Sequence, residues 1–177
     1  MMWNSKEYNQ WIQKGCPINL NVIKLDISYS NIKSFNGIEN LYNLKELHCN
    51  GNKLITLDGM ANLHNLSHLT TLYCSCNQLT SLNGIENLHN LKELYCCLNQ
   101  LTSLNGIENL HNLTILNCNN NQLTTLKGIE NLHNLTILYC HNNQLITLNG
   151  IENLHNLIDV KCDDLVKSQI FQLIKIN

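Results

Sequence analysis

Hydrophobic positions along this chain obey one frame that keeps returning. In its fourth copy the frame reads Leu91, Leu94, Cys96, Asn99, Leu101, Leu104, Gly106, Ile107 and Leu110, or LxxLxCxxNxLxxLxGIxxL. It opens again at Val22, Leu44, Leu69, Leu113 and Leu135, and an incomplete seventh copy opens at Leu157. The most regular segment, Asn36 to Leu41, recurs from Asp58, Asn83, Asn105, Lys127 and Asn149, at steps of 22, 25, 22, 22 and 22 residues. A repeat of this length predicts a solenoid. One coil cannot bury its own apolar face, so neighbouring coils stack and share a continuous core.

Each position has a physical role. Alternation from Glu93 to Cys97 sends Leu94 and Cys96 inward and Glu93, Tyr95 and Cys97 outward, which is the period of a strand. Asn52, Asn77, Asn99, Asn121 and Asn143 stand where the chain leaves the strand. An amide there can bond backbone groups that the turn leaves open, so a buried Asn ladder is expected. Gly37, Gly59, Gly84, Gly106, Gly128 and Gly150 mark a second bend, where a residue without a Cβ is tolerated best. One copy is longer by three residues, and its Leu63, Leu66, Leu69 and Leu72 predict an extra 3-10 turn.

A solenoid exposes its core at both ends, so caps are expected. Residues 1–21 read as an N-terminal cap helix: Asn4 and Glu7 form a capping-box start, Trp3, Tyr8, Trp11 and Ile12 supply apolar bulk, and Gly15 with Pro17 stops the run. Six repeats follow, at 22–43, 44–65, 66–90, 91–112, 113–134 and 135–156. Residues 157–177 hold a partial seventh repeat and a C-terminal cap. There Leu165 occupies the ladder Asn position, and Leu165, Val166, Ile170, Leu173 and Ile174 fit an amphipathic helix, with a strand as the alternative.

From about Val22 to Leu165 this frame resembles the short, 22-residue class of leucine-rich repeats found in the protein phosphatase 1 regulatory subunit and in bacterial internalins. The resemblance implies an α/β solenoid, a right-handed horseshoe with a parallel β-sheet on the concave side and short 3-10 segments on the convex side. It also implies binding of other proteins by the concave face. Both relatives have more repeats, and internalins carry secretion and wall-anchoring segments for which this sequence shows no counterpart.

Composition follows from the repeat. Leu (33) and Asn (32) make up over a third of the 177 residues, while charged residues are only 14%, against about 25% in ordinary domains. A formal charge of −2 gives little drive towards nucleic acid or an anionic membrane. No apolar run is long enough for a bilayer, and Met1 to Trp11 lacks a signal-peptide core, so a soluble, cytoplasmic monomer is expected. Nine cysteines cannot all pair internally, and a reducing compartment favours thiols. Six of them (Cys49, Cys74, Cys96, Cys118, Cys140 and Cys162) share the inward slot that Ile27 fills in the first repeat, where Cys acts as a small hydrophobe. Their Cβ atoms would stand about 4.8 Å apart, beyond the roughly 3.5–4.5 Å of a disulfide, and a straight ladder cannot surround a metal. Cys16 lies outside the frame. His64, His89, His111, His133 and His155 form a second ladder, and Glu86, Glu108, Glu130 and Glu152 stand three residues before the last four, each expected to partner a His of its own or a neighbouring turn.

Function is sought where the copies differ. On the predicted concave face one row reads Asp26, His48, Tyr73, Tyr95, Asn117, Tyr139 and Lys161. Beside it run Ser28, Asn50, Ser75, Cys97, Asn119, His141 and Asp163, and on the other side Lys24, Glu46, Thr71, Glu93, Ile115, Ile137 and Asp159, with Ile115 and Ile137 expected to be exposed. Tyr and His offer apolar area with a polar tip, which suits recognition of a protein; the alternative is cross-strand stacking of the aromatics that merely supports the sheet. His48, Tyr73, Tyr95, Cys97, Asn117, Tyr139 and His141 are therefore the candidate binding residues, for a protein partner of unknown identity. No catalytic residue, cofactor or metal is assigned: the chain has no phosphate-cradling Gly-rich loop, GxSxG, HExxH or zinc-finger CxxC pair. The alternatives are a metal- or redox-linked protein using Cys and His, with Cys76 and Cys97 as the accessible thiols, and a substrate adaptor working with a separate ligase or phosphatase subunit.

Overall fold

The computed structural model describes residues 1–60 and 68–170. Eight three-residue strands form one sheet in chain order, every pair parallel: β1 (Met2–Asn4), β2 (Lys24–Asp26), β3 (Glu46–His48), β4 (Thr71–Tyr73), β5 (Glu93–Tyr95), β6 (Ile115–Asn117), β7 (Ile137–Tyr139) and β8 (Asp159–Lys161). The register advances one repeat per strand, so Leu25, Leu47, Leu72, Leu94, Leu116, Leu138 and Val160 lie side by side. Parallel neighbours need a crossover, and here it is the rest of each coil. The opposite side carries 3-10 segments at Ile38–Asn40 and Asp58–Met60 and tight turns in the later copies. The result is a solenoid of about seven turns. No helix among the described residues is long and apolar enough to cross a membrane.

The core is the frame made solid. Among the described residues its Leu and Ile positions between Val22 and Leu154 are buried, most of them fully, apart from the partly exposed Ile32, and each buried one stabilises the fold by about 1.5–3 kcal/mol. Cys49, Cys74, Cys96, Cys118 and Cys140 are fully buried among them, whereas Cys162, on the last coil, is partly exposed. The Asn ladder forms as expected. Asn99 accepts the Leu79 N–H at 3.0 Å and donates to the carbonyls of Cys74 and Cys96, each at 3.1 Å. Asn52, Asn77, Asn121 and Asn143 repeat this pattern, the last one half-exposed at the end of the stack.

A second Asn ladder runs along the convex side. Asn43, Asn112, Asn134 and Asn156 donate to the carbonyls of Leu20, His89, His111 and His133 in the preceding coil, at 2.7–2.8 Å. Among the described residues the convex Glu side chains do not partner His: Glu86, Glu108 and Glu130 accept the N–H of Gly84, Gly106 and Gly128 in their own turn, at 2.8, 2.8 and 2.6 Å. The Glu stands two positions after that glycine, so the carboxylate closes a local turn. Gly84 illustrates why glycine stands there, since at φ +106° a Cβ would come 2.2 Å from the Leu57 carbonyl oxygen. Gly59 departs from the set by sitting inside a 3-10 turn rather than in the left-handed region.

The N-terminal cap is more than a helix. β1 extends the sheet by a strand, and α1 (Ser5–Gln13) then turns across the open end, started by the Asn4–Glu7 capping box. Tyr8 and Trp11 are buried against the first coil. The Tyr8 hydroxyl donates to the Asn36 carbonyl at 2.9 Å and accepts the Asn36 N–H at 3.2 Å, and the Trp11 indole N–H donates to Pro17 at 2.8 Å. At the other end a short helix, α2 (Asp164–Lys167), buries Val166 while Leu165 points to solvent. With no Asn in the next coil, the Asp163 carboxylate accepts the N–H groups of Asn142 and Asn143, and Gln169 bonds the backbone of Leu148 and Ile146. The predicted extra turn at Leu63 and Leu66, and the predicted cap helix at Leu173 and Ile174, lie outside the described residues.

Candidate functional site

Strand alternation and register build the candidate face. Because β2 to β8 pair residue for residue, Asp26, His48, Tyr73, Tyr95, Asn117, Tyr139 and Lys161 form one straight row, and Lys24, Glu46, Thr71, Glu93, Ile115, Ile137 and Asp159 form the next. Ile115 and Ile137 prove half-buried, since side chains one strand apart shield each other. The third row is carried past the strands by continued backbone bonds, such as Cys76 N–H to Cys97 at 3.0 Å.

Three of the candidates act as a unit. The rings of His48 and Tyr73 lie 4.3 Å apart and tilted by 42°, and those of Tyr73 and Tyr95 lie 4.5 Å apart and parallel to within 4°. One strand spacing places the rings at stacking distance. Glu46 bridges Lys24 at 2.7 Å and the His48 Nε2 at 2.5 Å, and these partners hold its carboxyl below the usual range despite the opposing effect of partial burial. Partial desolvation, then the charge of Glu93, push the Tyr95 phenol up to about 12; its hydroxyl lies 3.2 Å from the Glu93 carboxylate. The Tyr95 phenol stays neutral and donates to that carboxylate.

Asn117 interrupts the aromatic row, and Tyr139 belongs to a separate group. Its hydroxyl donates to Asp159 at 2.6 Å, which raises its pKa, and the Lys161 ammonium sits 4.3 Å from the ring centre. In the third row the Cys97 thiol lies 3.1 Å from the Ser75 hydroxyl, and His141 Nε2 lies 3.2 Å from the Asn119 amide nitrogen. The other ring nitrogen of His141, Nδ1, is buried without a hydrogen-bond partner among the described residues. All seven predicted residues thus share one face: five of them divide into a stack, a gap and a Tyr–Lys–Asp cluster, and Cys97 and His141 lie in the third row. Cross-strand stacking is the other reading of these aromatics, and Tyr73 and Tyr95, at matching frame positions, realise it.

The cysteine and histidine alternative finds no assembled site. Among the described residues no group of three or more His, Cys, Asp or Glu is arranged to hold a metal ion. Cys76 is exposed, yet desolvation and the neighbouring Cys97 raise its pKa, the opposite of an activated thiol. On the convex side, the Nδ1 atoms of His111 and His133 lie 3.3 and 3.4 Å from the carbonyls of Asn131 and Asn153 in the next coil, so these rings tie coils together.

A stack of short parallel strands, one per coil, with its varied side chains on the sheet side and copied turns behind, defines a repeat solenoid that presents a rigid face. The chain belongs to the leucine-rich repeat family: the family model for two copies of the repeat matches residues 43–87, 67–109, 89–131 and 111–165. Similar solved structures include an internalin, InlF, of Listeria monocytogenes, at 26% identity and a TM-score of 0.72, over 82% of this chain and 44% of that one. A leucine-rich repeat protein of Leptospira interrogans aligns at 29% identity and 0.65, over 80% and 43%. The functional domain of InlJ from Listeria monocytogenes, which includes a cysteine ladder, shares the fold at 23% identity and 0.65, over 81% and 33%. This chain therefore spans less than half the length of each of them. No curated protein matches it by sequence.

Proposed function

We propose that this protein is a non-enzymatic interaction module that binds a partner protein on its concave sheet face. The observation that carries this reading is the contrast between the two sides. The convex turns are near copies of one another, whereas the outward sheet rows change from coil to coil and gather Tyr73, Tyr95, Tyr139, His48 and His141 on a surface the backbone holds rigid. Tyr is among the side chains enriched in binding hot spots. The family's use as interaction scaffolds supports the same choice, and an open sheet face provides no enclosed pocket for chemistry. We place the protein in a reducing compartment such as the cytoplasm, because its nine cysteines are free thiols and five of them are sealed in the core.

Capture from a lysate of the source cells tests the reading. The immobilised wild type is compared with Tyr73→Ala/Tyr95→Ala/Tyr139→Ala and, as a convex control, His111→Ala/His133→Ala. The tyrosine variant loses its partner and the histidine variant keeps it. Equal capture by the wild type and the tyrosine variant would refute the concave-face assignment.

A further inference from the structure

The gap in the aromatic row has walls. Tyr73 and Tyr95 are parallel register neighbours on β4 and β5, so Tyr95 turns its second ring face towards β6. Lys161 covers Tyr139 from the β8 side, so the opposite face of Tyr139 also turns towards β6. The residue between them is Asn117. It is short, and its side-chain oxygen is drawn back to its own chain, accepting the Asn119 N–H at 3.4 Å. Two strand spacings put the flanking rings about 9–10 Å apart. A cation midway between them would lie about 5 Å from each ring centre, inside the roughly 6 Å reach of a cation–π contact.

Charge selects the same kind of guest. The three outward rows carry five carboxylates (Asp26, Glu46, Glu93, Asp159 and Asp163) and two ammonium groups (Lys24 and Lys161), a net of −3. The whole chain is −2, so the remainder is formally +1 and the negative charge is concentrated on this face. Ile115 and Ile137 lie alongside the gap and can cover the methylene stem of a long side chain. The molecule already contains one such contact, the Lys161 ammonium on Tyr139.

We propose that the slot over Asn117, between Tyr95 and Tyr139, receives an arginine or lysine side chain from a basic, extended segment of a partner protein. This rests on the concave face being the binding face and names the chemistry of what it binds. The test uses the full chain and two synthetic octapeptides, one alternating Arg and Gly and one alternating Glu and Gly, titrated calorimetrically at physiological salt. Wild type binds the Arg peptide and not the Glu peptide. Asn117→Tyr fills the slot without altering any charge or core residue, keeps or raises the melting temperature, and weakens Arg-peptide binding by about tenfold or more. Equal binding by wild type and Asn117→Tyr, or no binding of the Arg peptide by wild type, overturns the slot. Partner capture separates this failure from the broader one. If Asn117→Tyr keeps the partner and the triple Tyr→Ala variant loses it, the face stands and the slot falls; if the triple variant keeps it, both fall.

Discussion

A single backbone position shows what the repeat demands of individual residues. The residue just before each ladder Asn, or before Ser30 in the first repeat, takes a left-handed conformation: Tyr29, Gly51, Cys76, Leu98, Asn120 and Asn142 have φ of +52° to +63°. The turn must reverse there to deliver the next side chain inward, whatever residue supplies it. Glycine and Asn accept this conformation, while other L-residues bear a strain of about 1–2 kcal/mol. Leu98 bears that strain and also exposes half its surface. Leu98→Asn, copying the fifth and sixth repeats, should stabilise the protein by about 0.5–1 kcal/mol, or roughly 1–4 °C in melting temperature. Leu98→Val, β-branched and worse in the left-handed region, should lower it. Thermal denaturation of both variants decides the point, and shifts of the same sign would show that the conformation carries no strain.

Whole elements divide into those the period governs and those it does not. β2 to β8, their register and the buried Asn ladder were legible because each is fixed by a position in a frame repeated six times. β1 was not, since Met2–Asn4 lies before the first copy, and its pairing comes from the open backbone edge of β2 rather than from any pattern of its own. The convex Asn ladder was hidden by duplication: Asn112, Asn134 and Asn156 look merely copied until the preceding coil's carbonyl is seen beside each amide. The site was legible as a list of rows whose aromatics could stack across strands, but not as a bounded stack, a gap and a cluster, because ring tilt and the contacts of Glu46 and Asp159 depend on side-chain conformation. The N-terminal cap depends on one such contact. The Tyr8 hydroxyl serves both backbone groups of Asn36, and burial raises its pKa to about 12. Tyr8→Phe leaves the aromatic packing and should cost about 1–3 kcal/mol, from the loss of the two hydroxyl hydrogen bonds to the Asn36 backbone. Urea denaturation measures it, and an unchanged midpoint would mean that the ring alone seats the helix.

At the scale of the whole molecule the cysteine ladder sets a pH limit. Cys49, Cys74, Cys96, Cys118 and Cys140 are buried, and desolvation holds every one of these thiols far above its ordinary value. A group with a raised folded pKa contributes its full stability below the unfolded pKa, about 8.5 for Cys, and loses it as pH rises towards the folded value, because the unfolded chain releases protons that the folded chain retains. Each thiol then costs about 1.4 kcal/mol per pH unit, so five together cost about 7 kcal/mol per unit. Domains are stable by about 5–15 kcal/mol, so the protein should unfold cooperatively within one to two units above about pH 8.5. The first repeat indicates how to test this, since Ile27 fills the same slot fully buried. In Cys74→Val/Cys96→Val/Cys118→Val two of the five buried thiols remain, and their contribution to the alkaline slope of stability should fall to about two fifths of its original value. Urea midpoints between pH 7 and 10 under a reductant measure both slopes; parallel curves for the two proteins would show that the core thiols do not set the limit and that exposed groups do.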